Sequence, residues 1–202
     1  MTLIVCLRNK AGIVLAGDKR AIYEGSMHKY SDDQVKVVRV NKFVALAAAG
    51  DGNDASPIFR IVAKEAFDGD VDVVANKVSQ LVFDFQKKFK EPEMSVRVQL
   101  GLAHEPRYAF IIAGFTADGD QRTYTVSHEN IRPQEKDECW SEGMTNFAAS
   151  LIAETYPKIR TLKQLSNLAR DSIKLTSKLS YAVSCNSDVI ELSYENMKCE
   201  VV

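Results

Sequence analysis

The sequence lacks the features that mark a metal centre, a disulfide scaffold or a membrane span. Its four cysteines, Cys6, Cys139, Cys185 and Cys199, lie far apart with no Cys-x-x-Cys pair, so neither a disulfide framework nor a zinc knuckle is expected. Only three histidines occur, His28, His104 and His128, without ligand spacing. No metal and no cofactor are expected. The longest apolar stretch, residues 43–49, is far too short to cross a bilayer. Charges nearly cancel, 26 Lys and Arg against 27 Asp and Glu, which gives no electrostatic footprint for nucleic acid and no basic run for a membrane surface. The N-terminus reaches Arg8 without a basic leader, so the expectation is a reduced, cytoplasmic protein rather than a secreted one.

What remains is a globular composition, 46% apolar and 26% charged over 202 residues. No repeat, low-complexity tract or linker divides it, and a single domain over residues 1–202 is expected. Residues 2–8 and 12–18 read as strands around the loop Asn9-Lys10-Ala11, and residues 36–40 and 43–49 as strands around Asn41-Lys42. The stretch between them, 20–34, is polar and irregular. Helical spacing marks 54–67, 71–89, 144–156 and 161–178, with Asp54 or Ser56 as an N-cap for the first. Further strands are expected at 96–103, 108–115, 122–126, 189–192 and in a short C-terminal segment. Strands and helix pairs come in blocks, which favours a layered α+β fold over a doubly wound sheet.

The two hairpins place polar residues where apolar alternation predicts core. A three-residue first loop sets Thr2 opposite Asp18; a two-residue loop sets it opposite Lys19. In the second hairpin, a loop of Asn41-Lys42 pairs Lys36 with Ala47. Removal of Met1, which methionine aminopeptidase allows before a small second residue, would give Thr2 a free amine beside its own hydroxyl. That amine, with a pKa near 8, can take the hydroxyl proton and activate the oxygen. A Lys36 ammonium nearby would keep the amine neutral, Asp18 would hold the lysine, and the Ala47 N–H could serve as oxyanion donor.

The run Thr2-Leu3-Ile4-Val5, followed by Gly12-Ile13-Val14-Leu15-Ala16-Gly17-Asp18-Lys19-Arg20-Ala21, resembles the opening of proteasome β-type subunits, including the HslV branch. The likeness continues through Met27-His28-Lys29, Lys36-Val37-Val38, Ala47-Ala48-Ala49-Gly50-Asp51 and Ser187-Asp188-Val189-Ile190. It implies an N-terminal nucleophile hydrolase with a four-layer αββα sandwich and self-assembly into rings. It also implies peptide or unfolded-protein substrates, and it admits an ATP-dependent unfoldase as partner. Residue by residue, it assigns the nucleophile to Thr2, the carboxylate to Asp18, the lysine to Lys36 and the oxyanion N–H to Ala47. The Lys36 match needs an insertion around 31–34, which keeps Lys29 as a second candidate. The chain departs from the family pattern where a Gly-Ser-Gly serine is usual: the aligned stretch is Ser141-Glu142-Gly143-Met144-Thr145. After the last helix, Ser180 stands at the family's aspartate position and Val183 at its serine position, with Ser184 one step away.

Other readings stay open at this level. A non-catalytic ring or scaffold subunit would keep the fold and lose the supporting shell. A connectase-like peptide ligase would pass the same acyl group to an amine. Cys6 is an alternative nucleophile, but its apolar strand reads as core. Lys19 reads as a solvated strand end, and Ala45, Ala47 and Ala49 as small residues beside an open pocket.

Overall fold

A computed structural model of the chain describes residues 2–22, 30–50, 52–65, 67–89, 107–143 and 146–195. Lys29, His28, His104, Cys199, the strand expected at 96–103 and the C-terminal strand lie outside the described residues.

Two antiparallel sheets carry the structure. The first has the order β10 (Cys139–Gly143), β1 (Leu3–Asn9), β2 (Gly12–Asp18), β11 (Ser187–Leu192). The second runs β5 (Val37–Arg39), β6 (Val44–Gly50), β7 (Tyr108–Phe115), β8 (Gln121–Ser127), β9 (Gln134–Glu135). Helices α1 (Gly52–Lys64) and α2 (Val71–Phe89) cover the second sheet; α3 (Asn146–Thr155) and α4 (Leu162–Leu179) cover the first.

The pleat sorts the side chains into three cores. Ile4, Cys6, Ile13 and Leu15 of the first sheet meet Ala45, Ala47, Ile111 and Ala113 of the second, so the sheets pack face to face. Leu3, Val5, Leu7, Val14 and Ala16 turn the other way, onto Leu165, Leu168, Ala169 and Ile173 of α4. Val44, Leu46, Phe110 and Ile112 pack against Ile58, Val62, Val74 and Val78 of α1 and α2. The result is the expected four-layer αββα sandwich. Each fully buried Leu or Ile in these layers contributes about 1.5–3 kcal/mol.

Several boundaries differ from the sequence reading. Helix α1 is already formed at Gly52, so Asp54 and Ser56 lie inside it rather than at its N-cap. It ends at Lys64, and Phe67 packs onto the core from beyond its end. Helix α4 starts after Thr161, whose hydroxyl accepts from Gln164 N while the Gln164 side chain returns to the Thr161 amide. The irregular stretch contains a two-residue ladder, β3 (Ala21–Ile22) with β4 (Tyr30–Ser31). Strand β10 is not legible in the sequence, because Cys-Trp-Ser-Glu-Gly has no apolar alternation. It forms because β1 needs a partner on its outer edge.

The registers of the two hairpins decide which polar groups meet at the strand ends. In the first, Asn9 pairs with Gly12 and Ile4 with Gly17, the two-residue-loop alternative, with the Asn9 side chain accepting from Ala11 N at 2.8 Å. In the second, Val37, not Lys36, pairs with Ala47. The cause is Asn41, whose Oδ1 accepts from Phe43 N at 2.7 Å and Val44 N at 3.0 Å. This Asx turn draws Phe43 into the loop and moves the register by one residue. Lys36 therefore lies opposite Ala48, whose amide donates to the Lys36 carbonyl at 2.9 Å.

Candidate functional site

The site forms where the ends of β1 and β2 meet the start of β5. Thr2 directly precedes β1 and is 6% exposed. Strand alternation puts it on the side of Ile4 and Cys6, facing the second sheet. The register leaves Leu3 level with Asp18, so the carboxylate serves the residue after Thr2: Leu3 N donates to Asp18 Oδ1 at 2.8 Å.

Asp18 is fully buried and has four donors among the described residues. Besides Leu3 N, its Oδ1 accepts from Lys36 Nζ at 2.9 Å, and its Oδ2 from Arg20 N at 2.8 Å and Ser184 N at 3.2 Å. Burial of a carboxylate is tolerable when each lone pair is met in this way. Lys36 is itself buried and also donates to the Arg20 carbonyl, at 2.6 Å. Burial lowers the Lys36 pKa below the usual lysine value, opposed chiefly by the Asp18 carboxylate beside it.

Two glycines make the approach of these groups feasible. A Cβ on Gly17 would lie 2.8 Å from Val37 Cγ2 and 3.5 Å from Lys36 Cβ, so the bare backbone lets β5 settle over β2. Gly143 has φ +90°, and a Cβ there would sit 1.8 Å from the Thr2 carbonyl oxygen. It is the residue of β10 that lies against the chain at Thr2.

The four expected site residues fare differently. Thr2, Asp18 and Lys36 converge at this end of the sheets. Ala47 lies on the neighbouring strand β6, but its amide points the wrong way. The bonds from Ala48 N to Lys36 O, and from Phe115 N to Phe43 O at 3.1 Å, fix the alternation of β6. Even-numbered amides face β5 and odd-numbered ones face β7. The Ala47 N–H is thus turned into the β6–β7 ladder opposite Ile111. Gly50, the last residue of β6, directs its N–H to the Lys36 side, past the beginning of β5. Ala45, Ala47 and Ala49 are all buried in the core between the sheets, so none of the three opens the pocket expected beside the threonine.

Sequence reasoning also misses a carboxylate. Asp32 forms a two-bond pair with Arg20, Nε to Oδ1 at 2.7 Å and Nη2 to Oδ2 at 2.8 Å. The Arg20 guanidinium holds Asp32 below the usual aspartate range, with a smaller contribution from the Ser184 hydroxyl. It is the Ser184 backbone amide that meets Asp18, while the Ser184 hydroxyl accepts from Asn186 N and the Val183 side chain is buried in the core beneath α4. Ser180 ends α4, its hydroxyl accepting from Ala182 N. No spacing rule links residues 18, 20, 32 and 184. Lys19 pairs with Asp188 at 3.4 Å, a partly exposed ion pair.

Cys6 is buried between the sheets, with its sulfur 3.5 Å from Thr123 Oγ1, and burial pushes its pKa up to about 11. At pH 8 roughly one such thiol in a thousand is ionised. Iodoacetamide on the folded protein should therefore label exposed Cys185 at least about 100-fold faster than Cys6, as read by peptide mapping. Comparable rates would show that the two sheets part readily.

No helix among the described residues is long and apolar enough to cross a membrane, and no group of three or more His, Cys, Asp or Glu among them could hold a metal ion. A search of curated proteins gave no match. Among solved structures, the chain superposes on the Anbu complex from Pseudomonas aeruginosa, described as a helical assembly, with TM-score 0.77 and 13% identity, covering 95% of this chain and 81% of that one. It superposes on Anbu, the ancestral beta-subunit, from Yersinia bercovieri with TM-score 0.74 and 13% identity, covering 98% and 84%. At that identity the likeness speaks for the fold alone. The family model described as Proteasome subunit matches residues 2–192, and the chain belongs to the proteasome subunit family.

Proposed function

We propose that the chain is an N-terminal threonine peptidase of proteasome β type, working as a cytoplasmic homo-oligomer on peptide or unfolded-protein substrates. The observation that carries this reading is the buried Lys36–Asp18 pair beside Thr2. Two charges held out of water at a strand end are costly to keep for stability alone, whereas an ammonium next to a terminal amine has a chemical use. With Met1 removed, the Thr2 amine accepts the proton of Oγ1 as that oxygen attacks the scissile carbonyl. Lys36 keeps the amine unprotonated and stabilises developing charge at Oγ1. The Gly50 N–H, rather than that of Ala47, faces the developing oxyanion. The amine then gives the proton to the leaving nitrogen, the C–N bond breaks, and an ester to Thr2 remains. Water hydrolyses that ester and regenerates the threonine.

The test is the intact mass of the purified protein before and after exposure to a threonine-reactive β-lactone. Loss of Met1 and one acyl adduct mapped to Thr2 are expected. A processed chain that takes no adduct overturns the reading in favour of an assembly role. The second reading, a scaffold subunit, draws on Val183 and Ser180, which leave the threonine's usual serine and aspartate supports unfilled. Transfer of the acyl group to an added amine-bearing peptide would instead identify a ligase.

A further inference from the structure

The Lys36 ammonium is held on one side by the Asp18 carboxylate, at 2.9 Å. Its second acceptor is the Arg20 carbonyl, at 2.6 Å. Arg20 lies in the short connection after β2, where a carbonyl would ordinarily be free to tilt. Here its side chain is anchored on three sides. The guanidinium forms the two-bond pair with Asp32, donates from Nη1 to Tyr181 O at 2.5 Å and stacks over the Tyr30 ring, 4.0 Å from its centroid. Its side chain is 15% exposed. Its own amide is bound to Asp18 Oδ2, so backbone and side chain are fixed together.

We infer that the Arg20–Asp32 pair is a positioning element for Lys36: Asp32 locks Arg20, and the locked Arg20 carbonyl holds the lysine ammonium against Asp18. Asp32 also contributes charge. Among the described residues, the charged groups around Lys36 are Asp18 at the end of β2, Arg20 just after it, Asp32 after β4 and, once Met1 is gone, the Thr2 amine before β1. Asp18 and Asp32 favour the ammonium and Arg20 opposes it. Removing the Asp32 charge takes away one favourable contribution and leaves the Arg20 cation unneutralised. Both changes push the Lys36 titration to lower pH. A bidentate fork is also what distinguishes arginine from lysine here.

The inference rests on the threonine-peptidase reading for its kinetic consequence, but its structural core can be measured without turnover. In protein labelled with 13C at lysine Cε, with Lys36→Arg identifying the resonance, Asp32→Asn should lower the Lys36 midpoint by roughly 0.5–1 pH unit. The alkaline limb of β-lactone acylation should move the same way by a similar amount. Arg20→Lys, which keeps a cation but loses the fork, should lower the acylation rate at fixed pH with a smaller change in midpoint. An unchanged Lys36 midpoint in folded Asp32→Asn overturns the inference, whatever the activity. If the processed wild type takes no adduct while the midpoint still moves, the peptidase reading fails and the positioning role stands.

Discussion

Replacing Thr2 with alanine is expected to abolish both β-lactone acylation and peptide cleavage while leaving the fold intact. The hydroxyl oxygen is the only group of the protein that bonds to substrate carbon in the proposed reaction, so its loss cannot be compensated by the lysine, the carboxylate or the amide donors. The rate should fall on the order of 10⁴-fold or more, to what binding and oxyanion stabilisation achieve by themselves. Thr2→Ser keeps an oxygen in the same place and should retain turnover. Thr2 precedes β1 rather than lying within it, so the Leu3–Gly143 and Ile4–Gly17 pairings that build the sheet remain. Matching thermal unfolding curves for wild type and variant, with activity lost in only one, are the expected pair of observations. Turnover by the alanine variant would transfer the chemistry to another residue.

The layers and much of the site are legible in the amino-acid order because alternation at period two and helical spacing are local signals. Residues 2–8 and 12–18 declare themselves as strands by their β-branched, apolar runs, and the stripe Val74, Val78, Val82 declares α2. Asp18 and Lys36 stand out as polar residues where the pleat predicts core, whereas Thr2 is unremarkable in a strand by itself and is marked by the resemblance to proteasome β-type subunits. The misses share a physical cause: each depends on a contact distant in sequence or on a single side-chain hydrogen bond. Asn41 folding back on the amides of residues 43 and 44 moves the second hairpin by one residue, and that step puts Ala48 rather than Ala47 opposite Lys36, with the Ala47 N–H in the β6–β7 ladder and Gly50 the next amide on the Lys36 side. Strand β10 is held by its pairing with β1, at the opposite end of the chain's first 143 residues, not by its own composition. Asp32 reaches the site only because Arg20 bends to meet it, and nothing in the polar stretch 20–34 marks one aspartate over another.

The buried pair itself supplies the second large effect, on stability. Asp18→Ala removes the partner of a lysine that is nearly as buried as the carboxylate and leaves the Leu3, Arg20 and Ser184 amides without their acceptor. Stranding a buried charge in this way costs about 3–5 kcal/mol, and each orphaned amide adds about 1–3 kcal/mol where water cannot reach it. Against the ~5–15 kcal/mol that holds a typical domain together, this variant should unfold or survive only as a partly folded species. Lys36→Met should be milder. It removes the charge whose burial already lowers its pKa and leaves Asp18 with its three backbone donors. Asp18→Asn combined with Lys36→Met should recover much of the stability lost in Asp18→Asn alone, because no unpaired ammonium remains. Yet the double variant should take no β-lactone adduct, since the terminal amine has lost the ammonium that keeps it basic at neutral pH. Urea unfolding of the single and double variants, set beside intact-mass acylation, separates the two roles. A double variant that regains stability and remains inactive identifies the pair as retained for chemistry. One that regains neither identifies it as a fixture of the fold, and one that regains both removes Lys36 from the mechanism.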